Sequence, residues 1–222
     1  MPDISIDLVF DTVCPWCYIG KRRLDEALKQ RPDKSVMIRW RPFLLNPSMP
    51  KEGMPHEIYM TRRFGGPRRA QRAYNAVEDV GLSAEIDFAF DSISRTPCSI
   101  DSHRLVLLAD RYEKSKQMIE ALFYSYFVNG KDIGNVEVLT CIATSIGLNC
   151  QVVEDFLASD EDLDTVHESN HLAHSQGING VPAFIFNEHF IISGGYPSNI
   201  LARMIDTAFQ ELELKHETAS NC

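Results

Sequence analysis

Ile4, Ile6, Leu8 and Phe10 alternate with Ser5, Asp7 and Val9, and this period of two predicts a strand over residues 4–10. The pattern changes at Cys14-Pro15-Trp16-Cys17, after which Leu24 and Leu28 recur at helical spacing. A helix is therefore predicted from just after Cys14 to about Gln30, where Arg31-Pro32-Asp33 breaks it. Val36-Met37-Ile38-Arg39-Trp40 predicts a second strand. Strand, helix, strand of this size makes a right-handed βαβ unit with parallel strands. Pro42 to Pro55 is rich in proline, glycine and methionine and reads as a linker. Beyond it, helical patterns cover about 56–80, 100–112, 115–128, 135–146, 150–158 and 161–175, with Gly81, Gly130, Gly147 and Gly177 at expected helix ends or turns. Strand character returns over Gly180–Phe186 and Phe190–Ile192, which predicts a hairpin closed by Gly194-Gly195. A last amphipathic helix begins at Pro197 and carries Ile200, Leu201, Met204, Ile205, Ala208, Phe209 and Leu212 on one face. The polar tail Glu213–Cys222 is expected to fray.

The two ends of the chain thus supply β-α-β and β-β-α halves, with helices inserted between them. That is the layout of an α/β thioredoxin fold carrying a large helical insertion. The expected partition is a discontinuous thioredoxin-fold domain, residues 1–43 and 176–215, around a helical insertion domain, residues 44–175. A Cys-x-x-Cys beside a βαβ pattern is the context expected of such a fold.

The position of the dithiol decides its chemistry. A thiolate at a helix N-terminus faces unpaired backbone N–H groups and the positive end of the helix dipole. Pro15 fits the first helical turn, where its missing N–H costs nothing, and Lys21 and Arg22 are expected to add positive charge nearby. Only a thiolate attacks a disulfide. Cys14 is therefore the candidate nucleophile, and Cys17, one turn on, is the candidate resolving thiol that releases the partner from a mixed disulfide. Asp11 has two readings: a partly buried base that accepts a proton from Cys17, or a side chain that caps the turn after the first strand.

Composition narrows the class. The chain has 222 residues, 44% of them hydrophobic, enough for one sizeable core, and its net charge of −9 argues against wholesale nucleic-acid binding. Met1–Asp7 is acidic and too short of apolar length for a secretory signal. No run of about 20 apolar residues predicts a membrane span. A cytoplasmic location is expected, with neither nucleic acid nor membrane as partner. In a reducing compartment the six cysteines do not read as a disulfide framework. Cys98, Cys141, Cys150 and Cys222 are expected to be plain thiols.

Four stretches carry a likeness: Asp11-Thr12-Val13-Cys14-Pro15-Trp16-Cys17-Tyr18-Ile19-Gly20, Ser102-His103-Arg104-Leu105, Ala121-Leu122-Phe123 through Gly130-Lys131-Asp132-Ile133, and Gly177-Ile178-Asn179-Gly180-Val181-Pro182-Ala183-Phe184. Over about residues 4–212 the chain resembles the DsbA-like, FrnE-type thioredoxin-fold dithiol–disulfide oxidoreductases. The resemblance implies that Pro182 is a cis-proline beside the dithiol, and that Val181 offers its backbone to an extended substrate in the manner of strand addition. Pro15, Trp16, Val181 and Pro182 are then the expected substrate-binding residues. The implied partners are thiol- or disulfide-bearing proteins or peptides, with glutathione as a candidate redox partner and no bound cofactor or metal. Two features depart from the family: Pro97-Cys98-Ser99 stands where Pro-Asn-Thr is usual, and a second cysteine pair near the C-terminus is absent. The alternative function is a glutathione-dependent isomerase or transferase of the kappa-type 2-hydroxychromene-2-carboxylate isomerase class. Those relatives usually have serine at the position of Cys14 and an Asp-Arg pair near Gly194-Gly195-Tyr196-Pro197, and this chain differs at both.

Two further patterns compete for attention. His167-Glu168-Ser169-Asn170-His171, with His174 beyond, matches a zinc-protease spacing, but it lies on a polar helix that reads as a solvated face. Arg62, Arg63, Arg68, Arg69 and Arg72 form a basic cluster in an acidic chain. It is either an exposed helical surface or a dock for an acidic partner.

Overall fold

The computed structural model describes residues 4–220, with side chains described as far as Leu214. Its main sheet has the strand order β2-β1-β5-β6, made of β1 (Ile4–Phe10), β2 (Val36–Pro42), β5 (Ala183–Phe186) and β6 (Phe190–Ser193). β1 runs parallel to β2, with Ile4 opposite Val36 and Phe10 opposite Pro42. It runs antiparallel to β5, with Ile6 opposite Phe186 and Val9 opposite Ala183. The β5–β6 hairpin closes on the Phe186–Phe190 pair around a three-residue turn, Asn187, Glu188 and His189, whose first two residues take positive φ.

The alternation in β1 separates two apolar layers, so the strand is covered on both faces. Ile6, Leu8 and Phe10 enter the main core with Leu24 and Ala27 of α1 (Pro15–Lys29) and with Leu201 and Ile205 of α9 (Ser198–Ser220). Val9 faces the other way, toward Ala183, Ile185 and Ala173 of α8 (Leu163–Ser175). On that second face Asp7 is buried, and its carboxylate is gripped by two cations from β2: Arg39 donates to Oδ1, and Arg41 Nε donates to Oδ2 at 2.9 Å. Burying a carboxylate without such partners would be costly.

The helices between the sheet halves are α2 (His56–Phe64), α3 (Pro67–Leu82), α4 (Ile100–Asp110), α5 (Ser115–Phe127), α6 (Val136–Ser145), α7 (Cys150–Ala158) and α8. They share one core with the sheet: the ring of Phe123 lies 6.2 Å from Phe10 and 5.0 Å from Tyr18 of α1. Three expectations are corrected. The single helix expected over 56–80 is two, because Gly65 and Gly66 take φ of +74° and +137° and Pro67 starts a new helix. The expected linker contains β3 (Met54–Pro55), which pairs with β4 (Arg95–Thr96). The tail expected to fray from Glu213 remains helical to Ser220, and Cys222 lies outside the described residues.

A buried ion network ties α1 to α5. Glu120 accepts from Tyr18 Oη at 2.8 Å and from Arg22 at 2.7 Å, and it also pairs with Lys21. Lys21, only 4% exposed, makes a second pair with Asp25 at 2.9 Å. Lys21 and Arg22 are thus committed to the α5 and α1 carboxylates, which corrects the expectation that they supply free positive charge to the dithiol. Burial pushes the Glu120 carboxyl up, but the Lys21 ammonium and the surrounding hydrogen bonds outweigh it and hold the group below the usual carboxylate range. Glu120→Gln is expected to destabilise the fold by about 2 kcal/mol at pH 7, the effect of leaving a buried cation underpartnered, softened by partial exposure. A carboxyl with a lowered folded pKa stabilises above its unfolded value, about 4.3, and that contribution is lost as pH falls through the folded value. The gap between wild type and variant should therefore close on acidification, as urea titrations at pH 7 and below pH 4 will read.

Candidate active site

β1 ends at Phe10 and delivers Asp11 to a tight turn. The Cys14 N–H donates to the Asp11 carbonyl at 3.0 Å, and Asp11 Oδ1 accepts from the Val13 N–H at 3.2 Å. The capping role read for Asp11 is therefore present. Its other oxygen accepts from the Leu45 N–H at 2.7 Å, and the residue is fully buried. Cys14 is the N-cap of α1, with extended backbone (φ −100°, ψ 112°), and Pro15 takes the first helical position.

The sheet register explains what stands opposite. With Val9 paired to Ala183, the residues just before β5 come alongside the residues just after β1. Cys14 Sγ donates to the Val181 carbonyl at 3.6 Å across 167 residues of sequence. The Val181–Pro182 bond is cis, and the Pro182 carbonyl accepts from the Gly194 N–H at 2.8 Å. Gly20 completes the junction: a Cβ there would lie 2.8 Å from Pro182 Cγ. Trp16 is exposed beside Cys14, and Gly195 packs under its ring, so that a Cβ on Gly195 would sit 3.5 Å from the indole.

Both cysteines are buried, Cys14 at 4% exposure and Cys17 at 0%. Cys17 is fully buried, and burial pushes its thiol well up. A hydrogen bond to Cys14 and the charges of Cys14 and Asp11 act in the same direction, opposed by a backbone hydrogen bond at Asp11. Cys17 thus holds its proton, one helical turn behind a Cys14 that lies at the head of the helix.

Ser102 and His103 entered the sequence analysis only as part of the likeness, and their place behind Asp11 was not foreseen. His103 of α4 is fully buried, with Nε2 at 3.4 Å from Asp11 Oδ1 but misaligned for a hydrogen bond, and neither ring nitrogen has a partner. Ser102 next to it shares a 2.7 Å hydrogen bond with Thr12. The signal was a polar pair preceding the apolar run Leu105, Val106, Leu108 and Ala109, all of them buried. His167, His171 and His174 do not join the site: they are exposed on α8, whose inward Asn170 accepts from the Leu44 N–H. Among the described residues no group of three or more His, Cys, Asp or Glu side chains is placed to hold a metal. A cavity of about 970 Å³ lies along the charged flank of α1 and includes neither sulfur.

A sheet that carries a Cys-x-x-Cys at the head of its first helix, with a cis-proline beside it, defines a thioredoxin-fold thiol oxidoreductase. The DSBA-like thioredoxin domain family matches residues 5–206, and the chain belongs to that family. It is a thiol–disulfide oxidoreductase by that membership. Among solved structures it is similar to a probable DsbA oxidoreductase of Streptomyces coelicolor, 25% identical, with a TM-score of 0.86 over 94% of this chain and 91% of that one. A 2-hydroxychromene-2-carboxylate isomerase shares the fold at 16% identity and a TM-score of 0.65, covering 98% of this chain and 99% of its own. So does the cytosolic disulfide reductase DsbM of Pseudomonas aeruginosa, solved with GSH, at 17% identity and a TM-score of 0.57 over 96% and 99%. No helix among the described residues is long and apolar enough to cross a membrane.

Gly20 generates a test of the junction. Gly→Ala within a helix ordinarily stabilises by up to about 1 kcal/mol. Here the added methyl meets Pro182, and overpacking of this kind costs about 1–3 kcal/mol. Gly20→Ala is expected to lower stability in a denaturant titration, and a stabilised variant would show that α1 and Pro182 are not in contact.

Proposed function

We propose that the chain exchanges disulfides with protein or peptide partners through Cys14 and Cys17, as a FrnE-type enzyme of the cytoplasm. The observation that carries this reading is the placement of Cys14 Sγ at the head of α1 and against the Val181 carbonyl, with the protonated Cys17 buried one turn behind it. It also accounts for a thiol at position 14, where the glutathione-dependent isomerase reading expects serine.

The steps balance as follows. The Cys14 thiolate attacks one sulfur of a partner disulfide, forming a mixed disulfide and releasing the other partner sulfur as a thiolate. Cys17 loses its proton and attacks Cys14 Sγ. The mixed disulfide breaks, a Cys14–Cys17 disulfide forms, and the second partner thiol leaves. Two electrons have passed to the partner, and the reverse sequence oxidises it. Asp11, buried close enough to Cys17 to act on its titration, is our candidate for the group that accepts the Cys17 proton. Val181 binds an extended partner segment through its backbone, while Pro182, Pro15 and the exposed Trp16 form the apolar contact around it. Glutathione is the candidate small thiol that recycles the pair. Cys98, Cys141 and Cys150 are free thiols among the described residues.

Mass spectrometry of single-cysteine variants separates the two roles. Cys17→Ser is expected to accumulate a covalent adduct with a disulfide peptide, because attack proceeds without release. Cys14→Ser is expected to form no adduct and to reduce insulin at the background rate. Because the Cys17 thiol is raised, its thiolate fraction climbs about tenfold per pH unit below its pKa, so the release step should accelerate from pH 6 to pH 9. Wild-type turnover by Cys14→Ser would overturn the assignment.

A further inference from the structure

The basic cluster on α2 and α3 is not absorbed by the exchange chemistry. Residues 58–77 contain five arginines, Arg62, Arg63, Arg68, Arg69 and Arg72, and no aspartate or glutamate, in a chain of net charge −9. All five are exposed, and among the described residues none forms an ion pair. Other cations of the fold, Lys21, Arg22, Arg31, Arg39, Arg104 and Arg111, do pair with carboxylates.

Two of the unpaired arginines border a groove whose wall includes Asn46, the residue after the Leu45 held by Asp11. Arg62 and Arg63 line it with Asn46, Met49, Met54 and Tyr59, and its volume is about 240 Å³. That is below the roughly 300–1,000 Å³ of a small-molecule site, and it suits one or two side chains of a passing polypeptide. A short chain of contacts ties the groove to the sulfurs. Asp11 holds the Leu45 N–H, and Asn46, the next residue, exchanges hydrogen bonds with Tyr59 at 3.1 and 3.2 Å. Burial pushes the Tyr59 hydroxyl up; its hydrogen bond with Asn46 and the Arg63 charge oppose that, and the charges of Asp11 and Cys14 add to it.

We infer that this groove selects the partner: the enzyme prefers disulfides flanked by acidic residues, which Arg62 and Arg63 engage while the cystine sits at Cys14. The inference rests on the exchange chemistry proposed above and adds the substrate class to it. Acidic residues meeting unpaired arginines steer the encounter, an effect of about 10-fold to 10³-fold on association at low salt that fades as salt screens it.

The test uses three synthetic cystine peptides that differ only in flanking residues, Glu, Gln or Lys, reacted with the reduced full-length protein at about 20 mM and about 500 mM salt. The expected result is an exchange rate at least tenfold higher for the Glu peptide than for the Lys peptide at low salt, and nearly equal rates at high salt. Arg62→Glu/Arg63→Glu should reverse the order of the two peptides. General damage to the fold would slow both alike and leave their order unchanged. Equal rates for the three peptides at low salt, or a preference that survives the double variant, overturns the inference. Duplex DNA bound at the same salt with no peptide preference also overturns it, by assigning the arginines to another polyanion. Uncharged hydroxyethyl disulfide serves as the reference for wild type. If it reacts and the peptides show no preference, only this inference fails. If nothing reacts, the exchange chemistry itself fails.

Discussion

The site depends on one antiparallel pairing, that of β5 with β1. The register sets Val9 against Ala183, and everything beyond the strand ends follows from it: Val181 meets Cys14 because each lies just past its own strand. A slip of one residue would exchange the faces of β5, taking Phe184 and Phe186 out of the main core and putting Ala183 and Ile185 into it. The structure opposes a slip at the other end as well. Asn187 Oδ1 accepts from the Ser5 N–H at 3.1 Å, and the Asn187 N–H donates back to the Ser5 carbonyl at 2.9 Å. On the far side of β1, Asp7 binds two arginines of β2, so the central strand is fixed along both edges.

Given that register, the difference between the two sulfurs follows from helix geometry. An N-cap residue lies half outside the helix, so Cys14 can reach across to the β5 side. A residue three positions later points back into the fold, and Cys17 is consequently buried with its thiol raised. Attack needs an accessible, ionisable sulfur, whereas resolution needs one that stays quiet until a mixed disulfide sits beside it. One turn of helix separates the two positions, with Cys14 at 4% and Cys17 at 0% exposure.

Much of this was legible in the chain itself, and what was not has identifiable causes. The period of two in β1, the change of period at Cys14 and the closing hairpin are local signals, and they place the dithiol correctly. The nearness of Val181 and Pro182 is long-range, and only the family likeness suggested it. Gly20 reads as an indifferent helical glycine until Pro182 is set against it, and His103, quoted only for the likeness, has no role until α4 lays it beside Asp11. The division between α2 and α3 was announced by Gly65-Gly66-Pro67, but apolar positions at helical spacing on both sides masked it. β3 and β4 are two residues each, too short for any periodicity to register.

Lys21, Arg22 and the α2–α3 arginines show why a charge pattern must be read in space. Near the dithiol in sequence, Lys21 and Arg22 serve packing, since Glu120 and Asp25 neutralise them between α1 and α5. The α2–α3 arginines, distant in sequence, enter no ion pair among the described residues. Within α3, Arg68 and Arg72 sit one turn apart on the same helix, a like-charge spacing that weakens a helix by about 0.2–0.5 kcal/mol. Folding alone gives no reason to accept that cost in a chain whose 31 acidic residues outnumber its 22 lysines and arginines. Local rules are broken most often where a surface serves a partner, and here the broken rule lies on α3, the helix that follows the groove-lining Arg62 and Arg63 of α2.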